Sequence, residues 1–271
     1  MTYDYSYISS EMQAFKNTFS IGRTIENRQL YCCGCGSGER RAVFAGAFHG
    51  LEFLTSVALI EFIKSYSLMQ EYHNKVKVYV IPMMNPDGVE IAQHGLNPKN
   101  VLHRRIIEEM GIMDFKNVWQ ANSMGVDINH NFDAEWESIF PGPHPSRYGG
   151  KYPCSEPETR AIVKFLKRAE PDLFIAFHSQ GKEIYYDFNG LEDKRSKAIA
   201  DAIAKKSGYT VSRPIGTASF GGAKDWYIKE YHKPAFTVEL GKGKNPLPVS
   251  ELDQMVRDTK TICMAALDAV F

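Results

Sequence analysis

The chain has 271 residues, 44% of them hydrophobic, which is enough for one large domain or two small ones. Lys+Arg and Asp+Glu are equal at 32 each, so no net positive field exists to attract nucleic acid or anionic lipid. No apolar run approaches the roughly 20 residues of a membrane span. The opening MTYDYSYISSEMQAF lacks the regions of a secretory signal, and the expectation is a cytoplasmic protein. No linker, low-complexity tract or repeat divides the sequence, so one domain over 1–271 is expected.

Residues 28–35 and 41–48 read as strands around the turn GSGE, forming a hairpin. The first strand holds three of the five cysteines, Cys32, Cys33 and Cys35. Neighbours in a strand point to opposite faces, which suits reduced thiols better than disulfides. Residues 52–68 have helical apolar spacing, and VKVYVIPMMN at 76–85 reads as a strand followed by the turn NPDG. From 86 to 150 the sequence reads as irregular apart from a helix at 103–111, and so long a connection is usually functional. His94, His103 and His144 lie in it without metal-ligand company, and Trp119, Trp136 and Trp226 read as packing residues. Ser155 and Glu158 form a capping box with Pro157 in the first turn of a helix reaching about Arg168. A strand at 172–178, a helix at 193–207, a short helix at 223–231, a strand at 234–240 and a last helix at 250–269 complete the chain. This alternation predicts an α/β fold. His49, Asn85, His178 and Glu239 all fall at strand ends, where open α/β sheets bind ligands.

Taken singly these residues are unremarkable in meaning: a buried His is usually structural, and a Glu at a helix start usually serves the helix dipole. Together they carry chemistry. His49 and Glu52, in His-x-x-Glu spacing, sit one turn apart and can reach one ion. His178 completes a three-ligand set that leaves one zinc position open. Glu239, on a further segment, is a candidate general base.

The pattern HGLE at 49–52, GVDINHNF at 125–132, FHSQG at 177–181 and FTVELG at 236–241 resembles the zinc carboxypeptidase family. NPDG at 85–88, SEPET at 155–159 and GGAKDW at 221–226 support it. Within that family GAFHGLE, WQANSMGVDIN, FDAEW and HSQGKEIYY are most similar to bacterial γ-D-glutamyl-L-diamino acid peptidases and murein peptide amidases. The resemblance implies an eight-stranded mixed sheet flanked by helices and one Zn2+ held by His49, Glu52 and His178. It implies Glu239 as general base and acid, and Asn129 as a contact for the substrate's terminal carboxylate. The implied substrate is a murein-derived peptide, cut between D-Glu and meso-diaminopimelate.

Several positions depart from the family pattern or need a reading of their own. Asp127 is either a turn former or the carboxylate that orients a ligand histidine. His130 stands where the family has an Arg that forks onto a carboxylate, a contact a His cannot copy. Arg104 and Arg105 are the only arginines between NPDG and GVDIN, where the family has the arginine that stabilises the oxyanion. They are either substrate contacts or solvated helix charges. The loop before GGAKDW offers Thr217 and Phe220 in place of the family's mobile Tyr. Lys224 and Asp225 fall where the family reads the substrate side chain, and a Lys/Asp pair suits the ammonium and carboxylate of diaminopimelate. The bland alternative is a solvent-facing Lys in a helix's first turn. Rival functions are a conventional carboxypeptidase releasing L-amino acids, an N-acyl amino acid amidohydrolase, and a non-enzymatic zinc-binding module.

Overall fold

The computed structural model describes residues 2–111, 115–213 and 220–271. In chain order its elements are α1 (Tyr5–Gln13), β1 (Thr18–Arg23), β2 (Gln29–Cys35), β3 (Arg40–Gly46), α2 (Leu54–Tyr66), α3 (Gln70–His73), β4 (Val76–Ile81), α4 (Pro86–His94) and α5 (Val101–Met110). Then come α6 (Pro157–Ala169), β5 (Leu173–Ser179), β6 (Glu183–Tyr185), α7 (Ser196–Ser207), β7 (Thr210–Ser212), α8 (Ala223–Tyr231), β8 (Ala235–Leu240) and α9 (Leu252–Val270).

The strands form one eight-stranded mixed sheet in the order β1-β2-β4-β3-β5-β8-β6-β7. Its four inner strands, β4, β3, β5 and β8, are parallel. Their sequences explain this place. Every residue of β5 is buried, and a strand with no polar side needs helices on both faces. Alternate residues then divide between two cores. Phe44, Val78, Ile175 and Phe236 pack with side chains of α1, α2, α7 and α9. Val43, Ala45, Phe174 and Ala176 pack with α6 and α8. A smaller cluster joins Leu51 to Ile91, Ile106 and Trp119, beneath α4 and α5. From β3 the chain moves outward to β4 and later returns to β5 on the other side, so the strand order turns back between β3 and β5. That is where an open α/β sheet leaves a crevice.

Four expectations are corrected. β2 and β3 do not form a hairpin: β4 lies between them, antiparallel to β2 and parallel to β3. NPDG is not a turn alone but the start of α4, with Asn85 accepting from Gly88 N and Pro86 in the first turn. The capping box is not made. Glu156 is the N-cap of α6 and makes no side-chain cap bond, while Glu158 is buried. His94 does have company, since its imidazole lies with Asp4 and Glu90 in a set whose ligand atoms are within 4.8 Å of one another.

The outer strands are irregular or short. The β1–β2 register shifts between Ser20 and Gly22, and β7 has three residues. All five cysteines are free. No helix among the described residues is long and apolar enough to cross a membrane.

Candidate active site

Beyond β3 the chain turns at Ala47, where φ is 47°, is extended at His49 and then tightens into a single 3-10 turn over Gly50–Glu52. The turn folds Glu52 back, so that its Oε1 lies 2.9 Å from His49 Nδ1. Its other oxygen lies 3.0 Å from Nδ1 of His178, on β5. Two imidazoles from segments far apart in sequence therefore face one buried carboxylate. Their ligand atoms all lie within 4.8 Å of one another, and two His nitrogens with a carboxylate oxygen are the donor set a divalent zinc takes. Gly50 makes this turn possible. A Cβ there would stand 2.3 Å from the Gly88 carbonyl oxygen and 2.9 Å from that of Trp119.

Asp127 supports the set from behind. Its Oδ1 lies 3.2 Å from His49 Nε2 and accepts from Asn129 N, and its Oδ2 accepts from Arg147 N at 2.9 Å. Burial alone would raise the carboxyls of Asp127 and Glu52, but the adjacent imidazoles hold both below their usual range. Burial would lower the His49 imidazole, yet Glu52 and Asp127 raise it well above its ordinary value.

Glu239 enters from β8. It is paired with His178 across the parallel ladder, so both side chains leave the same face of the sheet. Among the described residues no hydrogen bond ties up its carboxylate, which is half-buried. Burial and then the charges of Glu52 and Glu183 push its carboxyl well above the ordinary value. A carboxylate so placed takes a proton more readily than an exposed one.

The profile of the zinc carboxypeptidase family matches residues 6–262. The chain belongs to that family. It is thus a zinc metallopeptidase, a hydrolase, and the His-Glu-His set is a group able to hold the metal. Gamma-D-glutamyl-L-diamino acid endopeptidase 1 of Lysinibacillus sphaericus is 31% identical, over 98% of this chain and 72% of that protein. Carboxypeptidase B of Canis lupus familiaris is 26% identical, over 93% of this chain and 65% of that one. Among solved structures, the murein-tripeptide amidase MpaA of Escherichia coli superimposes with a TM-score of 0.61 at 22% identity, over 97% of this chain and 95% of that one. That structure shares the fold of this chain.

The remaining expected residues divide in two. Asn129 and His130 follow Asp127 and reach toward α8: Ala223 N donates to Asn129 Oδ1, and His130 Nδ1 donates to the Phe220 carbonyl oxygen at 3.0 Å. Lys224 is not solvent-facing. Its side chain is 2% exposed, its Nζ lies 2.6 Å from Asp225 Oδ1, and it donates to the Asp187 carbonyl oxygen at 2.5 Å. Arg104 and Arg105, in contrast, lie exposed on α5, where Arg105 pairs with Glu109 one turn on. No hydrogen bond or ion pair among the described residues ties either to the His-Glu-His set. Thr217 lies outside the described residues.

One participant was not read from the sequence. Asn245 Nδ2 donates to the Ser179 carbonyl oxygen at 2.6 Å and reaches Glu52 Oε1 at 3.5 Å. What Asn245 touches depends on where the fold brings β5 and Glu52 beside the segment after β8.

Proposed function

We propose that the protein hydrolyses the amide bond between γ-D-glutamate and meso-diaminopimelate in murein-derived peptides, and that residues 1–271 act as one catalytic unit. His49, Glu52 and His178 hold one zinc ion, and Asp127 fixes the His49 ring. A zinc ion there supplies Lewis acidity at the scissile carbonyl. Glu239 takes the proton of the attacking water and returns it to the leaving amine as the C–N bond breaks. Its freedom from hydrogen bonds and its place beside His178 support that role.

The observation that carries the choice of substrate is the buried Lys224–Asp225 pair. It brings a cation and a carboxylate together in the first turn of α8, whose first residue bonds Asn129 and whose approach, at Phe220, bonds His130. His130 and Asn129 meet the backbone end of the departing residue, while the pair reads its side chain. The 31% identical relative, whose name specifies a diamino acid, supports the same choice.

The test is product analysis by mass spectrometry. Zinc-loaded protein is offered L-Ala-γ-D-Glu-meso-diaminopimelate and an α-linked L-peptide with a free C-terminus. Cleavage of the tripeptide alone, abolished by chelator and reduced about a hundred- to ten-thousandfold in Glu239→Gln, is expected. Cleavage of the L-peptide alone would transfer the assignment to a conventional carboxypeptidase. Cleavage of neither would return the amidohydrolase and non-enzymatic readings.

A further inference from the structure

The floor beneath Lys224 contains a group that the catalytic scheme leaves unused. Asp187 lies two residues past Tyr185, the last β6 residue paired with β8, and so sits deeper along the sheet than Glu239. Its backbone oxygen already accepts from Lys224 Nζ. Its carboxylate is held on one side only: Oδ2 lies 3.5 Å from Arg213 Nε, while Oδ1 is buried and meets no hydrogen-bond partner among the described residues. A buried carboxylate oxygen without a donor is destabilising, and such an atom in a native fold calls for a partner from outside. Arg213 is itself fixed, since its Nη2 donates to Tyr186 Oη at 3.1 Å.

A chain of packed residues links this floor to the segment that supports the His-Glu-His set. Asp127 bonds Asn129 N, His130 bonds the Phe220 carbonyl, the Phe220 ring meets Phe188 edge-on at 6.3 Å, and Phe188 follows Asp187 in the chain. An ammonium carries three donors, and Lys224 uses one toward Asp225 and one toward Asp187. The third N–H of Lys224 and Oδ1 of Asp187 are thus a donor and an acceptor on two residues already joined through the Asp187 carbonyl. A side-chain terminus carrying both a carboxylate and an ammonium would satisfy both groups.

We propose that Asp187 is a specificity-determining residue that accepts the distal ammonium of a zwitterionic side chain while Lys224 meets its carboxylate. The inference rests on the diamino acid substrate class proposed above and adds the residue that reads its second amine.

The test separates recognition from cleavage. Binding of free meso-diaminopimelate and of L-2-aminopimelate, which keeps the distal carboxylate but lacks the amine, is measured by calorimetry on the zinc-loaded protein. Wild type is expected to prefer diaminopimelate by about ten- to hundredfold, the worth of a charged hydrogen bond. Asp187→Asn should lose that preference while binding 2-aminopimelate as before, and Asp187→Glu should keep part of it. Should the Asn variant fail to fold, the Glu variant carries the test through the same ratio. A wild type without preference, or variants that weaken both ligands equally, overturns the proposal, because a merely structural Asp187 would not distinguish them. Tripeptide cleavage is followed in parallel. If the preference behaves as expected while the γ-D-glutamyl bond stays intact, Asp187 stands and the assigned bond falls. If the bond is cut and the preference is absent, the reverse holds.

Discussion

Asp127 employs both carboxylate oxygens at once, one on the His49 ring and one on the Arg147 backbone. Replacing it with Asn keeps the shape but removes the charge that fixes the imidazole. Asp127→Asn is expected to weaken zinc binding about ten- to a hundredfold, read by competition with a chromogenic chelator, while the folded state persists. An unchanged affinity would reduce Asp127 to a turn former. Glu158 is a different kind of carboxyl. Burial first, and then the charges of Asp87 and Glu156, push it up to about 8. Its own backbone N–H and Asn122 Nδ2, at 3.4 Å, offset this only in part. Below an unfolded-chain value of about 4.5 both states carry the proton, so Glu158 has no effect on stability there. Between about 4.5 and about 8 the unfolded chain releases the proton and the folded chain keeps it. Stability therefore falls as pH rises through that window, by roughly 1.4 kcal/mol for each unit crossed, and levels off above it. Glu158→Gln should melt higher than wild type at pH 8.5 and at the same temperature near pH 4.5. Parallel melting curves at the two pH values would refute the protonated state.

At the scale of elements, the junction from β3 into α2 decides whether a site exists. Gly50→Ala places a methyl against the Gly88 and Trp119 carbonyls, and backbone cannot rotate away as a side chain can. The expected loss is about 1–3 kcal/mol, seen as a lower melting temperature, together with a loss of metal binding because Glu52 is displaced. Melting and metal affinity that both match wild type would show that the turn has room. This junction was legible in the sequence because its chemistry is local: HGLE, FHSQG and FTVELG each bring a polar group to the end of an apolar run. What was not legible depends on distant choices. GSGE between two apolar runs looks like a hairpin, yet β4 has the greater claim on both neighbours, and pairing across 30 or more residues leaves no local mark. Asn85, Pro86 and Gly88 favour a turn and a helix start alike, and only the packing of Val89 and Ile91 decides for the helix. Ser155 and Glu158 have capping-box spacing, but burial drew Glu158 inward. Asn245 and Asp187 are polar loop residues whose partners lie on other elements, so their sequence context is silent about them.

For the whole molecule, the shared carboxylate of Glu52 ties the segment after β3 to the end of β5, across more than a hundred residues of chain. An ion held there binds only the folded arrangement, and at a thousandfold excess over its dissociation constant it adds about 4 kcal/mol of stability. Chelation should lower the melting temperature of wild type and leave that of His178→Ala unmoved, which calorimetry can read. Equal responses would place the bound metal elsewhere. The margins of the sheet answer another need. A row of unpaired backbone groups along an outer strand invites a strand from a second molecule. Here the register of β1 slips at Ser20–Gly22, where Ser20 Oγ donates to the Gly22 carbonyl, and β7 ends after three residues. Neither margin offers a long, regular template. The fold thereby keeps extended chains, its own copies included, from adding to its rim and building fibrils.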